Sequence, residues 1–288
     1  MSTVIGKINK LRHFPVAGGL ILFLFVFTAA FSPFIAPHDP VSQDLRQTLL
    51  PPAWETGGSP EFLLGTDNMG RDVLSRLIHG ARVSLVVGVA SVALALILGT
   101  ALGLLAGYLG GWVENLIMRL TDMQLAMPFI LMAIAIIGAL GPSTKNIIIV
   151  LAVCNWATYA RLVRSEVLSV KHEEFVELAV VDGCSMPRIL FFHILPNVVN
   201  TIIVMATLDM GRMIIFEGAL SFLGLGVQPP SPTWGGMLAD GRAYLSVSWQ
   251  LATFPGVAIM LVVLGTNLFG DWLRDILDPK RKRKMQGA

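Results

Sequence analysis

Charge is what this sequence has least of: 14% of its 288 residues are Asp, Glu, Lys or Arg, against roughly 25% in a typical soluble domain. That shortage excludes an ordinary soluble domain and is a membrane composition. Cysteine is nearly missing too. Cys154 lies in an apolar stretch and Cys184 in a polar loop; two such residues make no zinc site and argue against a structural disulfide. His13, His38, His79, His172 and His193 fall in separate segments without ligand spacing, and no His-Glu-x-x-His occurs, so no metal centre is read. There is no Gly-x-x-x-x-Gly-Lys-Ser/Thr phosphate loop, since Gly6-Lys7 lacks its glycine partner. No nucleophile and base are pointed to, so catalysis is not expected. Repeats of about 20 to 50 residues are absent as well, which rules out a solenoid.

What the sequence has is apolar length. Six stretches approach or exceed the roughly 20 residues a spanning helix needs: 15–36, 83–107, 116–140, 147–161, 198–223 and 251–269. The first follows Lys7, Lys10 and Arg12 as a signal peptide would, but it is long and Ser32-Pro33-Phe34 is a poor cleavage site. It reads as an anchor. Six spans put both ends on one side of the bilayer. With the ends inside, Lys7, Lys10, Arg12, Arg119, four residues between 161 and 193 and six from Arg274 onward make fourteen inner cations against six outer ones. The positive-inside rule then places both termini in the cytoplasm. The net charge of +2 rests on the tail Lys280 to Lys284, which suits an anionic membrane surface and calls for no nucleic acid.

The chain therefore divides into a cytoplasmic N-terminus (1–14), a first transmembrane helix (15–36), an external segment (37–82), a five-helix core (83–274) with a polar loop at 165–196, and a basic cytoplasmic tail (275–288). The external segment carries Pro40, Pro51-Pro52, Gly57-Gly58 and Pro60, which marks turns rather than a domain. Asp72 and Arg76 are i, i+4 and expected to pair on a helix. Trp234 and Trp249 are expected as interfacial anchors, and Gly99, Gly103 and Gly107 form a small-residue stripe for close helix packing.

The polar loop is the most informative stretch. Phe175, Leu178, Ala179 and Asp182 recur at i, i+3, i+4 and i+7, with Glu173, Glu174 and Glu177 opposite, which predicts a short amphipathic helix. Gly183 is placed to cap it in the left-handed conformation. A second short helix is expected from Ser185 as N-cap, with Pro187 in its first turn, stopping near Pro196. Ala179 and Gly183, four apart, offer an edge that a partner's backbone can approach.

The run Glu177-Leu178-Ala179, three residues, Gly183, eleven residues, Leu195-Pro196 resembles the Glu-Ala-Ala loop of binding-protein-dependent ABC importer permeases. Leu178 replaces the first Ala, and His193 stands at the Ile position. Further segments resemble the second permease subunit of dipeptide and oligopeptide importers, a family that also serves nickel and glutathione. These are Gly65-Thr66-Asp67, Gly70-Arg71-Asp72, Ser75-Arg76, Gly80-Ala81-Arg82, the run Ser221 to Pro230, Pro232-Thr233-Trp234-Gly235, and Asn267 to Asp275 leading into Leu277-Asp278-Pro279. The resemblance implies an all-α membrane protein with six transmembrane helices, the type I ABC importer permease fold and a cytoplasmic coupling helix, in a bacterial inner membrane. It implies that Glu174, Glu177, Leu178, Ala179, Asp182, Gly183, Leu195 and Pro196 couple the chain to an ATPase. The implied partners are a homologous second permease, two ABC ATPase subunits that bind ATP and Mg, and an external substrate-binding protein. The implied cargo is a di- or oligopeptide; nickel or glutathione is the alternative, and an autonomous channel or membrane enzyme the reading from another class.

Charges inside spans need a reason, since each costs roughly 2.5 to 3.5 kcal/mol on insertion scales. Asp209 with Arg212, and Arg119 with Asp122, are i, i+3 and can neutralise themselves on one helix face. The functional reading of Asp209, Arg212 and Glu217 is that they face a translocation path and contact peptide termini.

Overall fold

A computed structural model describes the backbone from Ser2 to Leu277 and side chains from Val16 to Leu277. The basic tail Lys280 to Lys284 lies outside the described residues. Helices dominate: α1 (Ser2–Ala30), α2 (Ser32–Ile35), α3 (Val73–Leu109), α4 (Gly111–Leu125), α5 (Phe129–Leu140), α6 (Thr144–Val170), α7 (Glu174–Val181), α8 (Met186–Arg188), a π-helical segment (Ile189–Ile194), α9 (Leu195–Phe222), α10 (Trp234–Arg242) and α11 (Gln250–Leu277). Among the described residues, four helices are long and apolar enough to cross a membrane: α3, α6, the run Met186–Phe222, and α11. The apolar part of α1, Val16–Ala30, is shorter.

The expected third span is not one straight helix. α4 and α5 meet at 94° because Pro128 contributes no amide to a helical ladder and biases Met127 toward extended backbone. The chain at Pro128 is extended, at φ −58° and ψ 124°. The expected fourth span is longer than its apolar run, since Ser143 accepts a 3.1 Å bond from the Asn146 amide and starts α6 early. α3 likewise begins ten residues before the apolar run, where the Asp72 carboxylate accepts from the Ser75 amide at 2.8 Å and the Ser75 hydroxyl at 2.6 Å.

That cap corrects the expected Asp72–Arg76 pair. Arg76 instead reaches Asp67 at 2.9 Å and Asp240 at 3.5 Å, and Arg71 also pairs with Asp67, at 2.7 Å. Trp234 is another correction: it is fully buried, with its indole N–H donating to the Leu77 carbonyl at 3.0 Å. It packs among Ala81, Leu85, Ile214 and Val262 inside the bundle rather than at the membrane surface. Trp249 is half exposed and donates to Glu55 at 3.0 Å.

α3 and α6 form the central pair. The glycine stripe lies between them: a Cβ at Gly99 would come within 2.4 Å of the Trp156 carbonyl oxygen, at Gly103 within 2.7 Å of Val163, and at Gly107 within 2.7 Å of Val167. The stripe therefore serves packing inside this chain. In the C-terminal half of α6, Arg164 pairs with Glu114 through Nε at 2.8 Å, and Arg161 with Asp122. Asp122 thus takes its cation from α6 and not from Arg119, which is exposed.

Candidate functional site

Three groups of residues carry the polar chemistry of the molecule. The first is the loop between α6 and α9. α7 forms where an amphipathic helix is predicted, but its inward face is Val176 and Ala179, which pack against Ile189, Leu190 and the end of α6. Ala179 is only 5% exposed, so it seats the helix on its own chain and offers no edge to a partner. Phe175 is exposed, and Leu178 and Val181 are 62% and 81% exposed. Glu174, Glu177 and Asp182 are exposed beside them. The period of the helix was legible; its phase was not, because carboxylates on nearly every side leave the choice to the packing partner.

Gly183 ends α7 as expected, at φ +73°. The Cys184 amide bonds to the Ala179 carbonyl at 3.0 Å and the Gly183 amide to that of Val180 at 3.0 Å, the two bonds of a Schellman cap. A Cβ on Gly183 would touch nothing; backbone conformation alone calls for glycine here. Pro196 does not stop the following helix. The π-helical turn ahead of it routes the Leu195 amide to Leu190, five residues back, so the ladder absorbs a residue without an N–H in the first turn of α9. Leu195 is half-buried and Pro196 exposed.

The second group lies within the spans. Asp209 on α9 is 2% exposed. Tyr159 donates to its Oδ2 at 3.0 Å, Asn155 donates to the same oxygen, and Arg212 Nη2 lies 2.6 Å from Oδ1. Arg212 Nη2 also donates to Asn155 Oδ1 at 2.8 Å. The carboxylate is thus neutralised and fully bonded, which is what an apolar slab demands. The expected i, i+3 pair exists, while the contributions of Asn155 and Tyr159 were missed; their signal was two polar groups spaced i, i+4 in an apolar run. Arg212 is 45% exposed. It lines a cavity of about 240 Å³ between α4, α5, α6 and α9, together with Gln124, Phe129, Thr158 and Phe216.

Glu217 does not join that cavity. It is 1% exposed and accepts from Ser221 at 2.8 Å, with the Ser84 hydroxyl 3.5 Å away. Ser84 in turn accepts from the Trp234 amide at 3.3 Å. Glu217 therefore ties α9 to α3 and α10. Of the three residues expected on a path, Arg212 alone is open; Asp209 stands behind it and Glu217 is enclosed elsewhere.

The third group lies at the N-terminal end of α3, beside α10. Arg71 and Arg76, each 7% exposed, gather Asp67 and Asp240 beside an open cavity of about 420 Å³ that the 221–240 stretch completes. Arg82 is exposed and apart from it.

With this architecture in view, similarity decides the family. Residues 99–283 match the family described as the binding-protein-dependent transport system inner membrane component. The chain belongs to that family of permeases. Residues 12–52 of this permease match a second family, the N-terminal TM domain of oligopeptide transport permease C. It is 47% identical to the di/tripeptide transport system permease protein DppC of Pseudomonas aeruginosa, over 93% of this chain and 88% of that protein. It is 46% identical to the dipeptide permease DppC of Alkalihalophilus pseudofirmus over 96% and 88%, and 41% identical to the glutathione permease GsiD of Pectobacterium atrosepticum over 94% and 88%. Among solved structures, the MetNI methionine ABC transporter in inward-facing conformations aligns with a TM-score of 0.58 at 16% identity, covering 70% of this chain and 96% of its own. The fold is that of an ABC importer permease, and the protein is a multi-pass inner-membrane component.

Proposed function

We propose that this permease forms, with a homologous second permease, the translocation path for dipeptides and short oligopeptides in an ATP-driven importer. Two ABC ATPase subunits supply the hydrolysis, with ATP and Mg bound on them, and an external binding protein delivers the cargo. The chain itself performs no catalysis, and both termini face the cytoplasm. The relatives named for di- and tripeptides support the cargo. A glutathione permease relative fits the same reading, since glutathione is itself a tripeptide.

The single observation that carries the mechanism is the exposed apolar surface of α7. Phe175, Leu178 and Val181 stand out from a polar loop that Ala179 and Val176 pin to the spans, and exposed apolar patches of that kind mark contact surfaces. Seated in an ATPase groove, α7 would pass motion through Val176, Ala179 and the π-helical turn directly into α9, the helix that carries Asp209 and Arg212. The test is reconstitution of the complete importer in vesicles with the dipeptide-loaded binding protein. ATP-dependent uptake is expected, and is expected to stop when Leu178 and Val181 are both changed to Asp. Uptake by this chain alone, without the ATPases, would refute the proposal.

A further inference from the structure

We infer that Arg212 is the docking group for the free carboxylate of a peptide in transit, and that its guanidinium is held in place for that purpose by Asp209, Asn155 and Tyr159. The inference rests on the reading that the cavity beside Arg212 is a stretch of the transport route. A guanidinium at membrane depth needs partners for its donors. Here both protein contacts, to Asp209 and to Asn155, use the same nitrogen, Nη2. Among the described residues Nε and Nη1 reach no acceptor, and the side chain is 45% exposed on the cavity wall. Asp209 and Asn155 engage Nη2, the nitrogen common to both two-bond edges of a guanidinium. The hydrogens left to the cavity, on Nε and Nη1, therefore offer a carboxylate single charge-assisted bonds rather than a paired fork.

The rest of the wall matches such a ligand. Gln124 and Thr158 add polar contacts, whereas Met127, Met132 and the stacked pair Phe129–Phe216, with ring centroids 4.0 Å apart, give an apolar surface. Methionines repack around differing shapes, so variable peptide side chains can pass. No carboxylate lines this cavity among the described residues, which makes it a poor site for a divalent cation. Because Asp209 already offsets the positive charge, a bound carboxylate is held loosely enough to leave, as conduction requires.

The test uses the assembled importer in nanodiscs, with Cys154→Ser and Cys184→Ser as background and Thr158→Cys as reporter. Labelling rates are measured with an anionic sulfonatoethyl and a cationic trimethylammonium-ethyl methanethiosulfonate reagent. The anionic-to-cationic rate ratio is expected to fall roughly tenfold on Arg212→Gln, the scale of one nearby charge at intermediate dielectric, and to be kept in Arg212→Lys. A dipeptide with a free carboxylate is expected to slow labelling, and its C-terminal amide is not. An unchanged ratio in Arg212→Gln, or equal protection by dipeptide and amide, overturns the carboxylate site while leaving the route intact. No labelling by either reagent overturns the route as well.

Discussion

The polar loop and the middle of the spans are inverted with respect to each other. In the loop, apolar Leu178 and Val181 stand in the open and small Ala179 is buried; in the spans, charged Asp209 and Glu217 are buried and apolar Val86, Ile97 and Ile215 face outward. Lipid accounts for the outer faces of the spans without further assumption. Water does not account for Leu178 and Val181, nor does lipid account for the open edge of Arg212. The difference teaches where to look for partners: at each residue whose surroundings, as the chain stands alone, are of the wrong kind.

The largest effect that would break this comparison lies in the spans. Asp209→Ala leaves the Arg212 cation without its counter-charge and removes the acceptor used by Tyr159 and Asn155. Arg212 is itself 45% exposed, so the cost comes mainly from the buried Tyr159 hydroxyl and Asn155 amide left without their acceptor, about 1 to 3 kcal/mol each. A drop in the melting temperature of the purified importer is expected, together with loss of uptake. An Asp209→Ala protein that melts like the parent would show that the network is not what holds α6 to α9.

In the loop the same experiment should give the opposite pattern. Leu178→Asp with Val181→Asp is expected to leave the melting temperature of the isolated chain nearly unchanged, since exposed positions tolerate substitution within about 0.5 kcal/mol. Affinity for the ATPase subunits should instead fall by tenfold or more, because burying a single Leu is worth about 1.5 to 3 kcal/mol. Pull-down of the ATPases with the altered chain measures it; undiminished capture would remove α7 from the contact. Gly183→Val should have a smaller effect, of about 1 to 2 kcal/mol from the left-handed backbone alone, read as weakened ATPase capture that Gly183→Asn partly restores.

These two regions also differ in how far the sequence revealed them. The loop's helix and its glycine cap follow from local rules, so the position of α7 and the φ of Gly183 were readable from spacing. The face it buries was not, because Val176 and Ala179 are selected by Ile189 and Leu190, a tertiary contact. Pro196 misled for a related reason: a proline normally ends a helix, and only the π-helical turn before it lets the run continue. In the spans, the Asp209–Arg212 pair was readable at i, i+3, whereas Asp122 and Arg76 take partners 39 and 164 residues away. No spacing rule reaches that far, which is also why the enclosure of Glu217 by Ser84 and Ser221 was invisible.

The smallest effect sharpens the contrast beside the cavity that Arg71 and Arg76 line, where Asp240 is 52% exposed and lies 3.8 Å from Arg71 and 3.5 Å from Arg76. Partial burial pushes its carboxyl above the ordinary range, Arg71 opposes that, and the charge on Asp67 adds to it. A pKa raised in the folded state means that the fold takes up the proton more readily than the unfolded chain. Its contribution to stability is therefore fully present below the unfolded value and is lost as pH rises through the folded one. Asp240→Asn should remove that slope, so that melting temperature varies less across the pH range just above the usual carboxylate value. Solvent screening at such an exposed group keeps the change under about 1 kcal/mol. Parallel thermal melts of the two proteins across that range measure it, and identical slopes would mean that Arg71 and Arg76 fully offset the burial of Asp240.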